Sequence, residues 1–136
     1  MNFEFTEEQR LFTDAVHKFA VAELEADALK RAHNPRFPFD VAQRMSRQGL
    51  MGITLPEADG GQGGSLMDAV IAIEQVALVC PRSADVVQSG SFGPIRTFAE
   101  YGTPSQKARS PRRAKMSAAA FTILSKPRRP ASMVRI

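Results

Sequence analysis

The chain has 136 residues, 43% of them apolar, and a net charge of +4, which suits one domain with one modest core and leaves no room for a second. The single cysteine, Cys80, excludes an internal disulfide, and no apolar run approaches the roughly 18 to 20 residues of a membrane span. The opening MNFEFTEEQR has neither the basic-then-apolar order of a secretory signal nor the acid-poor character of a transit peptide, so a cytoplasmic protein is expected.

In chain order, Thr6 with Gln9 three places on forms a capping-box pattern, and Glu7 and Glu8 suit the positive end of a helix dipole. Leu11, Phe12, Ala15, Val16, Phe19 and Ala20 recur on one face and predict a helix from about residue 7 into the twenties. HNPRFPFD turns the chain. Val41, Met45 and Leu50 mark a shorter helix stopped near Gly49, and MGITLP reads as extended.

Ser65 with Asp68 offers a second cap. Leu66, Val70, Ile73 and Ala77, with Met67, Ile71, Glu74 and Leu78 on the adjacent stripe, wrap apolar groups far around the following helix and predict a buried, central one ending near Pro81. SADVVQ starts a further helix, SGSFGP interrupts it, and IRTFAEYG ends another on glycine. With no repeat and no convincing strand pair, the fold class is all-α, a small helical bundle.

Charge divides the chain after Ser105. Before it stand nine Lys and Arg against fourteen Asp and Glu, net −5; after it stand nine Lys and Arg and no acid. Arginines with prolines and no acids suit a disordered polycation that would bind nucleic acid through phosphate charge alone. No recognition helix, zinc or RNA-binding motif accompanies them, so specific nucleic-acid recognition is not expected.

The glycine cluster LPEADGGQGGSLMDAV raises the question of a phosphate cradle. A dinucleotide fingerprint would need a third glycine where Leu66 stands, and the Walker pattern lacks its Gly-Lys-Ser/Thr. A turn before the central helix is the better reading. His17 and His33 have no ligand partner at metal spacing, so no metal site is expected. Cys80 before Pro81 lacks an identifiable base and reads as a small buried hydrophobe, and Ser65 reads as a cap. Glu74 lies among apolar neighbours, where burial would raise a carboxyl pKa.

Taken in order and spacing, FTEEQRLFTDAVHKFA, GLMGITLPEADGGQGGSLMDAVIAIEQVA and YGTPSQKAR resemble the N-terminal helical domain of the acyl-CoA dehydrogenase family over nearly all of residues 3 to 109. The most specific part is G-L-x-G-I-x-x-P-E leading to G-G-x-G and a long helix. The resemblance implies a domain at 1–109 and an irregular basic tail at 110–136. It also implies an FAD enzyme that dehydrogenates the α and β carbons of an acyl-CoA thioester: a carboxylate takes the α proton and the β hydrogen leaves as hydride to FAD. An electron-transfer flavoprotein would reoxidise the flavin, and complete relatives are homo-oligomers. The family's β domain and C-terminal bundle, which holds the base, are absent from this chain, so it has no catalytic residue of its own and is expected to be inactive alone and to retain no FAD.

Three residues, Gln88, Ser91 and Phe92, stand where the family brings helix residues near the acyl chain. Leu124 and Ser125, with Pro127, fall where a cofactor-binding Leu-Thr-Glu-Pro would stand, but Lys126 replaces the acid and nothing after Pro127 fits. The lost acids and sudden arginines are what a shifted reading frame produces, and a nucleotide sequence with no such shifted reading would end that explanation. The alternatives to a truncated enzyme are a stand-alone helical interaction module and a nucleic-acid binder acting through the tail.

Overall fold

Helix α1 (Glu7–Leu24) starts at the expected reciprocal cap: Gln9 N–H donates to Thr6 Oγ1 at 3.2 Å, and Thr6 N–H donates to Gln9 Oε1 at 3.0 Å. In the computed structural model, which describes residues 4–109, it is followed by α2 (Ala28–Ala32), α3 (Phe39–Arg47), a 3-10 turn at Glu57–Asp59, α4 (Leu66–Val79), α5 (Pro81–Ser91), α6 (Pro94–Tyr101) and α7 (Pro104–Arg109). No strand occurs among the described residues, as the all-α reading requires.

Val16, Ala20 and Leu24 carry α1 into the core, with Phe12 and Phe19 packed beside them. Leu11, expected on that face, is 66% exposed, and Ala15 is exposed too. The physical reason is that α1 packs mainly on α4, and one neighbouring helix covers only a narrow stripe of its surface. The two helices run in the same direction. Their N-terminal residues line one groove, and at the other end Arg31 Nη1 donates to Leu24 O at 2.6 Å and approaches Cys80 Sγ at 4.0 Å.

Helix α3 buries Val41, Ala42 and Met45 and stops as glycine predicts: Gly49 takes φ +73°, and Leu50 N–H donates to Met45 O at 2.9 Å. The next segment is not extended. Residues 51–55 turn tightly, with Leu55 N–H bonded to Gly52 O at 3.1 Å, and bury Met51, Ile53 and Leu55. Glycines at 49, 52 and 60 supply the positive φ angles that such a path needs.

The expectation of a buried central α4 also needs correcting. Its second cap is present, with Asp68 N–H donating to Ser65 Oγ at 3.2 Å and Ser65 N–H to Asp68 Oδ2 at 2.7 Å. Yet Ala69, Ile71, Ala72 and Val76 are buried, whereas Leu66, Met67, Val70 and Leu78 are exposed, Leu78 to 68%. The hub is α5, which packs against α2, α3, α4 and α6. Small residues make this possible: Ser83, Ala84, Gly90 and Ser91 are all buried and let neighbouring backbones come close. Cys80, in extended conformation, is both the last cap of α4 and the first of α5, and Pro81 opens the new helix, where a missing N–H costs nothing.

Candidate functional site

The glycine segment can be judged by where its backbone N–H groups point. Asp59 donates to Pro56 O, Gly60 to Glu57 O, Gly61 to Pro56 O, Gln62 to Gly52 O, Gly63 to Leu55 O and Gly64 to Ile53 O, all between 2.8 and 3.0 Å. Every amide from 59 to 64 is therefore engaged by the preceding turn. A phosphate cradle needs free amides converging on the anion, and none remains here. Gly61 is required for close approach: a Cβ there would lie 2.2 Å from Leu55 O. The loop is a closed structural turn, in accord with the sequence reading.

Beside it lies a groove of about 530 Å³ lined by Phe12 and Ile53 and by Gln48 and Gln62. The N-termini of α1 and α4 reach it, but both are occupied by their own caps, and the charged side chains in its wall are Glu8 and Asp68. No cation faces a pyrophosphate. This groove does not fit the phosphates of FAD, which would need free N–H groups or basic side chains that it lacks.

The predicted acyl-chain residues sit at the corner between α5 and α6. Gln88 is exposed and Phe92 half-buried against the core. Ser91 is wholly buried: its Oγ accepts from Ile53 N–H at 3.4 Å, and its carbonyl accepts from Thr54 Oγ1. Together with Gly52 N–H donating to Gly90 O at 2.8 Å, these bonds pin the corner to the 52–54 segment and satisfy carbonyls that the end of α5 would otherwise leave open. Leu124 and Ser125 lie outside the described residues.

Other candidates resolve as structure. Cys80 is buried, with Ser83 Oγ donating to its Sγ at 3.1 Å. His17 is half-buried with Nδ1 enclosed and unbonded, His33 is exposed, and no group of three metal-ligating residues occurs among the described residues. Glu74, expected among apolar neighbours, is exposed on the open face of α4. Sequence reasoning missed Arg31, a buried guanidinium that ties the ends of α1 and α4 together and lies 3.8 Å from Asp27. Nothing in LKRAHN marks that arginine as internal; the buried carbonyl it serves belongs to another helix.

The model of the acyl-CoA dehydrogenase N-terminal domain matches residues 6–114. The chain belongs to the acyl-CoA dehydrogenase family. It is 30% identical over 105 residues to 3-sulfinopropanoyl-CoA desulfinase of Paraburkholderia xenovorans, a match covering 77% of this chain and 27% of that protein. It is 31% identical over 107 residues to the short-chain specific acyl-CoA dehydrogenase of Clostridium acetobutylicum, covering 79% and 28%. Acryloyl-CoA reductase (NADH) of Anaerotignum propionicum is 34% identical over 109 residues, covering 79% and 27%. The chain spans about a quarter of the length of these relatives. No helix among the described residues is long and apolar enough to cross a membrane.

Proposed function

We propose that this chain supplies the N-terminal helical part of an acyl-CoA dehydrogenase-type flavin oxidoreductase, which introduces an α,β double bond into an acyl-CoA thioester, and that it is inactive alone. The observation that carries this reading is the family match, continuous over residues 6–114 and in the motif order of GLMGITLPE, GGQG and the α4 helix. The three relatives above are all named for a CoA thioester, which supports that substrate class. FAD would supply the hydride acceptor in the complete enzyme. Because the groove beside the glycine segment offers its phosphates neither a cation nor a free amide, no step of that chemistry is assigned there.

Within the complete enzyme, the role we give this chain is to wall the acyl chain. Gln88 and Phe92 present themselves at the α5–α6 corner, and Ser91 acts beneath them as a positioning residue through its bonds to the 53–54 backbone and hydroxyl. Leu124 and Ser125 are the degraded remains of a flavin contact, and residues 110–136 a tail apart from the 1–109 domain. An electron-transfer flavoprotein as partner, a homo-oligomeric holoenzyme and a cytoplasmic location follow from the same reading.

A chimera tests it. Residues 6–109 would replace the matching part of the Clostridium acetobutylicum short-chain enzyme, which is then assayed for bound flavin and acyl-CoA dehydrogenation. The expected result is a flavin-loaded chimera that turns over, beside a purified 136-residue chain that carries no stoichiometric flavin and does not. A folded, flavin-loaded chimera with no turnover on any acyl-CoA would overturn the reading, and so would a yellow, active chain on its own.

A further inference from the structure

Helices α6 and α7 are held to the domain differently from the others. The main core gathers sixteen buried residues from α1, α3, α4, α5, Cys80 and the 50–53 segment, whereas Leu55, Ile95 and Ala99 form a separate cluster of three. Beyond that small cluster, Lys107 Nζ meets Asp59 Oδ1 at 3.5 Å, between side chains that both keep about a third of their surface in water, a geometry in which ion pairs hold weakly. A crevice of about 190 Å³, lined by Thr54, Pro56, Asp59, Arg96 and Glu100, separates α6 from the 54–59 segment.

The join to α5 is equally distinctive. Gly93 takes φ +61° and ψ −127°, a region that residues with a side chain rarely enter. A Cβ at Gly93 would meet nothing within 4 Å. Glycine there answers to the backbone path and not to crowding, unlike Gly61. On the other side of this joint the α5 end is pinned by Gly52, Ile53 and Thr54. The Gly93 carbonyl belongs to α6, accepting from Thr97 N–H at 3.0 Å and Thr97 Oγ1 at 3.1 Å, so the joint lies on its α5 side; an uncrowded glycine between a pinned end and a lightly held helix is the arrangement of a hinge.

We propose that α6 and α7 form a strap hinged at Gly93, which opens from the 54–59 segment as one unit while α1, α3, α4 and α5 remain folded. Sub-global opening draws on elements with few buried apolar contacts, and α6 buries only Ile95 and Ala99, in the cluster they share with Leu55. Opening uncovers Leu55 and Ile95 and merges the crevice with solvent. The inference stands on packing and backbone geometry and does not depend on the function proposed above.

Native-state hydrogen exchange of the 136-residue chain, in urea below its unfolding transition, tests the strap. The amides of Thr97 to Gly102 are expected to share one opening with one urea dependence, exchanging at least about tenfold faster than those of α4. Ile95→Val, a mild loss from the small cluster, should speed that set about two- to tenfold and leave α4 unchanged. Gly93→Ala, which strains the docked backbone, should speed the same set. Exchange of α6 only together with α4, amide-by-amide exchange without urea dependence, or equal acceleration of α4 by Ile95→Val would each overturn the proposal.

Discussion

Gly61 and Gly90 both stand where a side chain would collide, yet the two collisions differ in kind. At Gly61 the obstacle is the Leu55 carbonyl at 2.2 Å, which belongs to a backbone held by six neighbouring hydrogen bonds; at Gly90 it is Met51 Cε at 2.3 Å, the far end of a flexible side chain. Gly61→Ala is therefore expected to cost about 2 to 4 kcal/mol and Gly90→Ala about 1 to 2 kcal/mol, read from urea denaturation. Equal costs would mean that the turn gives way as readily as the methionine. Asp40 permits a second prediction. Burial acts to raise its carboxyl, but the Arg44 guanidinium at 2.8 Å and the N–H groups of Val41 and Asp40 outweigh it and hold the group below the ordinary carboxylate value. A lowered native pKa stabilises the fold above the unfolded value of about 4 and is lost as the pH falls through the native one. The stability difference between the natural chain and Asp40→Asn should be present at neutral pH and shrink below about pH 4, a small effect because the pair is exposed.

Among the elements, α4 makes the sharpest distinction between pattern and packing. Its buried line runs through Ala69, Ala72 and Val76 with Ile71 at one edge, and the larger Leu66, Val70 and Leu78 face outward. Leu78→Lys and Val70→Lys should change unfolding stability by less than about 1 kcal/mol, whereas Ile71→Ala should cost about 2 to 5 kcal/mol. The same two lysines should reduce self-association of the isolated chain in sedimentation, because an apolar stripe in water promotes it. Unchanged association would place the sticky surface elsewhere, for instance near Leu29 or Tyr101, which are also exposed. The caps at Thr6 and Ser65 were legible because a cap is local, needing only a hydroxyl and the right residue three places on. Which face of α4 meets a partner was not legible, since periodicity ranks faces by size and apolarity while burial depends on where α1 and α5 lie. Helix α5 was legible only in part: SADVVQ reads as a helix start, but the SGS that continues it reads as an interruption, and its small polar residues are buried because neighbouring backbones come close, not because they are oily.

For the whole molecule, the family was readable from the order of motifs, and the comparison over residues 6–114 agrees with it. The candidate site was less readable. That GGQGG would not hold a phosphate followed from a missing lysine and a missing glycine, but the closure of all its amides on residues 52–57 is a fact of tertiary structure. Ser91 was placed by resemblance at the acyl chain and is found turned inward to Ile53. The relatives differ in their named reactions, a desulfinase, a dehydrogenase and a reductase, although each matches this same part. Substitutions in α1 or α3, which carry none of the proposed acyl-chain residues, should alter folding before they alter which reaction occurs.

The parallel course of α1 and α4 bears on the order in which the chain is made. Helix α1 leaves a ribosome before α4, yet its apolar line, Val16, Ala20 and Leu24, has its principal partner in residues 69 to 80. Between them lies a stretch that must be synthesised and looped before that line is covered. Helices α4 and α5, linked by Cys80 alone, can find each other at once. During synthesis, then, α1 waits for shelter until α4 has emerged, and a nascent chain stalled before Ser65 would offer its greasy edge to any chaperone at hand.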